Sequence, residues 1–137
     1  FVSDLSVRLS LDRRLAELDS EEEIDNFGAE LRDRFGPLPD EVRYLFKVAA
    51  IKAYCRRANV EKLDAGPKGA VITFRDTSFA QPEKLVFFIR QPGQAAKVRP
   101  DMKVVFLQDW DTPEDRLTGA TEILRQLANL AEDRKAA

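Results

Sequence analysis

The sequence predicts an α+β domain with a helical N-terminal part, a small, mostly antiparallel sheet in the middle, and a C-terminal helix packed on that sheet. Three observations predict it. Up to Asn59 the apolar residues recur every three or four positions, as along one side of a helix. From Val60 to Leu107 they fall into short runs separated by Gly-Pro-Lys-Gly, Pro-Gly and Pro-Asp, the punctuation of strands and tight turns. From Thr112 the helical period returns.

Taken in order, Val7, Leu11, Leu15 and Leu18 lie one turn apart and predict a first helix over about 5–17, with Arg8, Asp12, Arg13 and Glu17 on its other side. Ser20 and Glu23 have capping-box spacing, in which each side chain satisfies a backbone N–H of the other. A second helix should run from there over about 21–35, turning Ile24, Phe27, Leu31 and Phe35 to a core beside small Gly28 and Ala29. Gly36 supplies a left-handed terminator, Pro37 cannot continue a helix, and Pro39 holds Leu38 extended. Phe35, Gly36, Pro37, Leu38 and Pro39 together specify a stiff corner.

A third helix over about 39–58 follows, with Pro39 in its first turn and Asp40 and Glu41 at the positive end of its dipole. It is apolar over most of its circumference through Val42, Leu45, Phe46, Val48, Ala49, Ile51, Ala53 and Cys55, so it should be covered on several sides. Val60–Ala65 and Ala70–Arg75 read as a hairpin closed by the four residues Gly66-Pro67-Lys68-Gly69. Pro82 opens a short helix carrying Leu85, Val86, Phe88 and Ile89, which Pro92-Gly93 ends. Ala96–Arg99 and Lys103–Leu107 form a second strand pair turning at Pro100-Asp101. Thr112, Pro113, Glu114 and Asp115 then start the last helix, over about 113–132, whose Leu117, Ala120, Ile123, Leu124, Leu127 and Leu130 face inward. Ala131–Ala137 should fray.

With 137 residues, 44% of them hydrophobic, the chain reads as a single domain over 1–137. The 22 basic and 24 acidic residues leave a net charge of -2, which provides no large field for a nucleic-acid backbone or an anionic membrane. The single cysteine, Cys55, excludes an intramolecular disulfide, fits a cytoplasmic location, and reads as a core filler. No apolar run approaches the roughly 20 residues of a membrane span. A chain that begins at Phe1, without methionine, reads as a segment of a longer protein.

Histidine is absent, which removes the commonest general base and the commonest transition-metal ligand together. No nucleotide-binding glycine loop, nucleophile elbow or paired-cysteine spacing occurs, so neither catalysis, a metal nor a cofactor is expected of this domain alone. Glu21-Glu22-Glu23 and Asp109/Asp111 read as solvated acids in a chain that is 34% charged.

The remaining constellations are surfaces. Glu23, Asn26, Glu30, Asp33 and Arg34 fall on one flank of the second helix when each residue is rotated by about 100°. Spacing alone describes an ordinary solvated face; next to a proline-locked corner it also describes a rigid contact surface, with Arg34 offering a bidentate fork. Arg56, Arg57 and Lys62 make a small basic cluster. A helix-dipole role explains the two arginines, and an accessory DNA-binding module would use the cluster with Lys97, Arg99 and Lys103. Trp110, between Asp109 and Asp111, is either an exposed anchor or a cover over the core edge.

Four motifs then carry a resemblance: Arg8-Leu9-Ser10 with Arg13-Arg14-Leu15; Glu30-Leu31-Arg32-Asp33-Arg34-Phe35-Gly36-Pro37-Leu38-Pro39; Gly69-Ala70-Val71-Ile72-Thr73-Phe74; and Lys103-Val104-Val105-Phe106-Leu107-Gln108-Asp109. Across nearly its whole length the sequence resembles the C-terminal domain of the bacterial transcription-repair coupling factor, departing from it at Asp12, where that family commonly has an aromatic residue. The resemblance implies a parent that is an ATP-driven DNA translocase of helicase superfamily 2, which dislodges stalled RNA polymerase and recruits nucleotide-excision repair through UvrA. ATP and Mg would then belong to other domains of that parent. It further implies that this domain packs against a UvrB-like N-terminal module of the same protein as an autoinhibitory clamp masking the UvrA-binding surface, with Glu30, Asp33 and Arg34 at the contact.

Overall fold

A computed structural model describes residues 5–132, with side-chain environments from residue 9 onward. The element order is α1 (Leu5–Ala16), α2 (Glu21–Phe35), α3 (Asp40–Ala58), β1 (Val60–Gly66), β2 (Gly69–Phe74), α4 (Pro82–Ile89), β3 (Ala96–Val98), β4 (Val104–Leu107) and α5 (Pro113–Glu132), an α+β arrangement. The expected side chains of Val7 and Arg8 lie outside the described residues, as does the tail beyond Glu132. The chain divides into two compact units, residues 1–53 and 54–137, each with its own core.

In the first unit Leu11 and Leu15 of α1, Ile24, Phe27 and Leu31 of α2, Leu38 of the corner, and Val42, Ala49 and Ala53 of α3 form one buried cluster, with Leu18, Leu45, Phe46 and Ala50 packed against it. The Phe27 and Phe46 rings stack with centroids 5.6 Å apart. Gly28 makes that approach close: a Cβ there would sit 3.2 Å from Phe46 Cε2. The α3 helix is less enclosed than its composition predicts. Arg43, Tyr44 and Lys47 are exposed on one side, and Leu45, Phe46, Val48 and Ile51 are only half-buried.

In the second unit the strands form one antiparallel sheet in the order β1-β2-β4-β3. Ala70, Ile72, Phe74, Val104 and Phe106 face inward, and α5, which packs on β1 and β2, buries Ala120, Ile123, Leu124, Leu127, Ala128 and Ala131. The α4 helix joins this face through Phe88, whose ring lies 6.1 Å from that of Phe106. Thr112 caps α5 as expected, its Oγ1 accepting from the Asp115 N–H at 3.0 Å.

Two local expectations are corrected. Gly66 pairs with Gly69, so the β1–β2 loop has two residues, Pro67 and Lys68, rather than four. Gly69 adopts φ +128, and a Cβ on it would lie 1.9 Å from the Phe106 carbonyl oxygen, a position that only glycine fills. Ala131 is buried in α5 and Glu132 is ion-paired, so these two residues continue the helix, while the rest of the segment expected to fray, 133–137, lies outside the described residues.

The first strand also contains a bulge. Val60 opposes Phe74 and Lys62 opposes Thr73, leaving Glu61 as the extra residue. Asn59, at φ +62, ties down the segment after β2: its side-chain amide donates to the carbonyls of Arg75 at 3.0 Å and Ser78 at 2.8 Å.

Candidate functional site

The entry to α2 is a variant of the expected capping box. The Glu23 N–H donates to Ser20 Oγ at 3.1 Å, but the returning Glu23 carboxylate accepts from the Asp19 N–H and the Ser20 hydroxyl, both at 3.3 Å, rather than from the Ser20 N–H. Glu23 is therefore engaged in the cap rather than available as a free member of the flank.

At the other end, Gly36 has φ +82 and ψ −166, an extended region essentially reserved for glycine and not the left-handed helical one, while its N–H still donates to the Arg32 carbonyl at 2.8 Å. Leu38 plugs the corner into the core. Pro39 is the cap rather than a first-turn residue, its carbonyl accepting from the Val42 and Arg43 N–H groups at 3.0 Å. Phe35 departs from expectation. At 57% exposure it does not extend the buried face, because the chain leaves the helix at the next residue and Leu38 occupies the core position instead. The Arg34 guanidinium lies 6.0 Å from the Phe35 ring centre.

Between these fixed ends, Ile24, Phe27, Gly28 and Leu31 are buried, which leaves the opposite side of α2 to solvent. Asn26, Ala29, Glu30, Arg32 and Asp33 line a shallow, open depression there. Asn26, Ala29, Glu30 and Asp33 follow the i, i+3, i+4, i+7 line of a single helix face, and small Ala29 leaves its middle low. Among the described residues, Asn26 and Asp33 make no side-chain hydrogen bond or ion pair. Glu30 is 3.9 Å from Arg14 of α1, beyond hydrogen-bond length. The structure thus presents Asn26, Glu30, Asp33 and Arg34 on an exposed flank of a helix whose inner face is tightly packed. Sequence reasoning did not assign Arg14 to this flank, because the pairing of α1 with α2 is a tertiary fact that spacing does not carry.

The basic cluster is divided among carboxylates. Arg57 Nε donates to Glu132 Oε1 and Oε2 at 3.0 and 3.1 Å, and the Arg57 guanidinium lies 5.7 Å from the Tyr54 ring centre. This hydrogen bonding lowers the Glu132 pKa against an opposing desolvation effect. Lys62 is 3.7 Å from Asp64 and Arg99 is 3.0 Å from Asp101. Paired cations release fewer counterions on meeting a phosphate backbone, so this arrangement counts against a DNA-binding patch. Arg56 remains exposed at the end of α3.

Trp110 closes over the core edge. It is buried, its backbone N–H donates to the Pro67 carbonyl at 2.8 Å, and Arg116 Nε donates to its backbone carbonyl at 3.2 Å. Cys55 is half-buried, and burial pushes its thiol up to about 11. Among the described residues no group of three or more His, Cys, Asp or Glu side chains is placed to hold a metal ion, and no helix is long and apolar enough to cross a membrane.

The family described as TRCF domain matches residues 1–85. The transcription-repair-coupling factor of Rickettsia bellii is 36% identical over 135 residues, covering 96% of this chain and 11% of that protein. The protein of the same name from Escherichia coli is 29% identical over 127 residues, covering 93% of this chain and again 11% of the relative. The chain therefore spans about a tenth of the length of the curated relatives it matches. A crystal structure of the C-terminal domain of a transcription-repair coupling factor superposes with a TM-score of 0.73 at 18% identity, covering 98% of this chain and 86% of that one.

Proposed function

The chain belongs to the TRCF domain family, and from that premise we propose that it is the non-catalytic regulatory domain of a transcription-repair coupling factor, acting as an autoinhibitory clamp. In this reading the parent is an ATP-dependent DNA translocase of helicase superfamily 2 that removes stalled RNA polymerase and recruits nucleotide-excision repair. The domain holds the parent's UvrB-like N-terminal module and masks the surface that UvrA would bind. ATP and Mg act in other domains of the parent, which works in the bacterial cytoplasm.

The observation that carries this reading is the α2 flank, where Asp33 and Asn26 are exposed and, among the described residues, without side-chain partners on a helix fixed by the Phe27–Phe46 stack. An exposed carboxylate retains its hydration in the free domain, and a partner cation gives it a charge-assisted hydrogen bond. Arg34 provides the complementary fork for a carboxylate. Such a mixed-charge contact is specific and only modestly stable, since exposed pairs contribute roughly 0–1 kcal/mol each and are screened by salt. That suits a clamp that must open, because small differences in affinity shift a two-state population.

The test is retention of purified UvrA by the full-length parent. Changing Glu30, Asp33 and Arg34 together to Ala is expected to raise UvrA retention and alter ATPase activity. Unchanged retention together with unchanged ATPase activity would overturn the proposal.

A further inference from the structure

Arg14 of α1 brings a cation to the α2 flank from outside that helix. Its guanidinium carbon lies 4.5 Å above the centre of the Phe27 ring, and that ring is itself buried and stacked on Phe46. The cation is thus held by a fixed aromatic platform rather than left to sample solvent. From there Nη2 stands 3.9 Å from Glu30 Oε2, with the two side chains 54% and 51% exposed. The separation is too long for a hydrogen bond, so the lone pairs of Glu30 remain open to another donor while its charge is partly countered. Asp33, one turn further along, has no such neighbour among the described residues.

We infer that Arg14 is a built-in competitor for Glu30, an internal counter-ion that weakens the grip of this face on a basic group of its partner and keeps the contact reversible. The inference rests on the clamp reading above. A partner cation approaching Glu30 meets the like charge of Arg14 and must share the carboxylate with it, so the attraction it gains is smaller than at Asp33. Arg14 acts through Glu30, from a different helix.

The experiment again measures retention of purified UvrA by the full-length parent at low salt. Removing the cation with Arg14→Gln should tighten the clamp and lower retention by about twofold to fivefold, the range that exposed charge pairs span. Added NaCl should shrink that difference. Arg14→Lys, which keeps the charge, should retain UvrA as the unmodified protein does, and Arg14→Gln placed on Glu30→Ala should change nothing further. A rise or no change with Arg14→Gln, while the Glu30/Asp33/Arg34 triple variant does raise retention, overturns the role of Arg14 and leaves the clamp standing. An inert triple variant removes both.

Discussion

The indole of Trp110 lies against the backbone of Gly119 so closely that a Cβ on the glycine would sit 2.3 Å from Trp110 Cε2 and 2.5 Å from Nε1. The ring has little room to retreat, because hydrogen bonds to Pro67 and from Arg116 fix the tryptophan's own backbone. Gly119→Ala gains about 1 kcal/mol of helix propensity. It loses more by overpacking, toward the upper end of a range of about 1–3 kcal/mol. The variant should melt below the parent chain, and its emission should shift to the red as the single tryptophan is pushed toward water. An unchanged spectrum with an unchanged melting point would contradict this packing.

Two glycines of one hairpin should respond very differently. Gly69→Ala places a methyl group against the Phe106 carbonyl at a backbone angle that alanine rarely adopts, and should cost at least about 3 kcal/mol by breaking the β2–β4 ladder. Gly66→Ala meets nothing within 4 Å and should stay within about 0.5 kcal/mol of the unmodified chain. Urea unfolding midpoints measure both, and equal midpoints would refute the difference.

The ends of α3 and α5 are tied by Arg57 and Glu132, and the tie should depend on pH. Hydrogen bonding from Arg57 holds the Glu132 carboxyl below its ordinary value near 4.5. A lowered folded-state pKa means that the pair stabilises the fold above that ordinary value and is lost as pH falls through the folded one. Glu132→Gln should therefore reduce stability at pH 7 by less than about 1 kcal/mol, since the pair is partly exposed and screened. The difference from the unmodified chain should vanish in acid below the Glu132 pKa. A gap that persists undiminished there would rule out the carboxylate as its source.

Cys55 should be chemically quiet. With its thiol pushed up to about 11 by burial, the native thiolate fraction at pH 8 is roughly two orders of magnitude below that of free cysteine. Alkylation in native buffer should be slow and should accelerate in urea. Rapid labelling of the folded chain would show that the thiol is more open than its position implies.

The proline corner was legible because its chemistry is local: Gly36, Pro37 and Pro39 restrict the backbone whatever surrounds them. The helices were legible from period alone, as Ile24, Phe27 and Leu31 show. Phe35 was misread because periodicity does not register that the last turn of a helix leaves the core when the chain bends away. The insertion of β4 between β2 and β3 was not legible, since each hairpin reads alike from its own residues and only burial of Ile72 and Phe106 decides which edges meet. Gly119 carried a signal that sequence reasoning did not use, a lone glycine inside a helix, which costs stability unless something packs against it. The candidate flank was legible as a row of polar residues; its division into free Asp33, cap-bound Glu23 and Arg14-facing Glu30 required neighbours from outside α2.

The bulge at Glu61 has a consequence at the rim of the sheet. Because one residue is skipped there, Val60 and Leu63 both pair on the inward side although three positions separate them, and the two charged residues between them are turned to water. The rim thus begins with an irregular, twisted, charged stretch where a straight ladder of free amides and carbonyls would invite another chain to add a strand. At the opposite rim, β3 has only three residues to offer. Both margins of the sheet are poor templates for self-association, so this fold carries its own protection against edge-to-edge polymerisation.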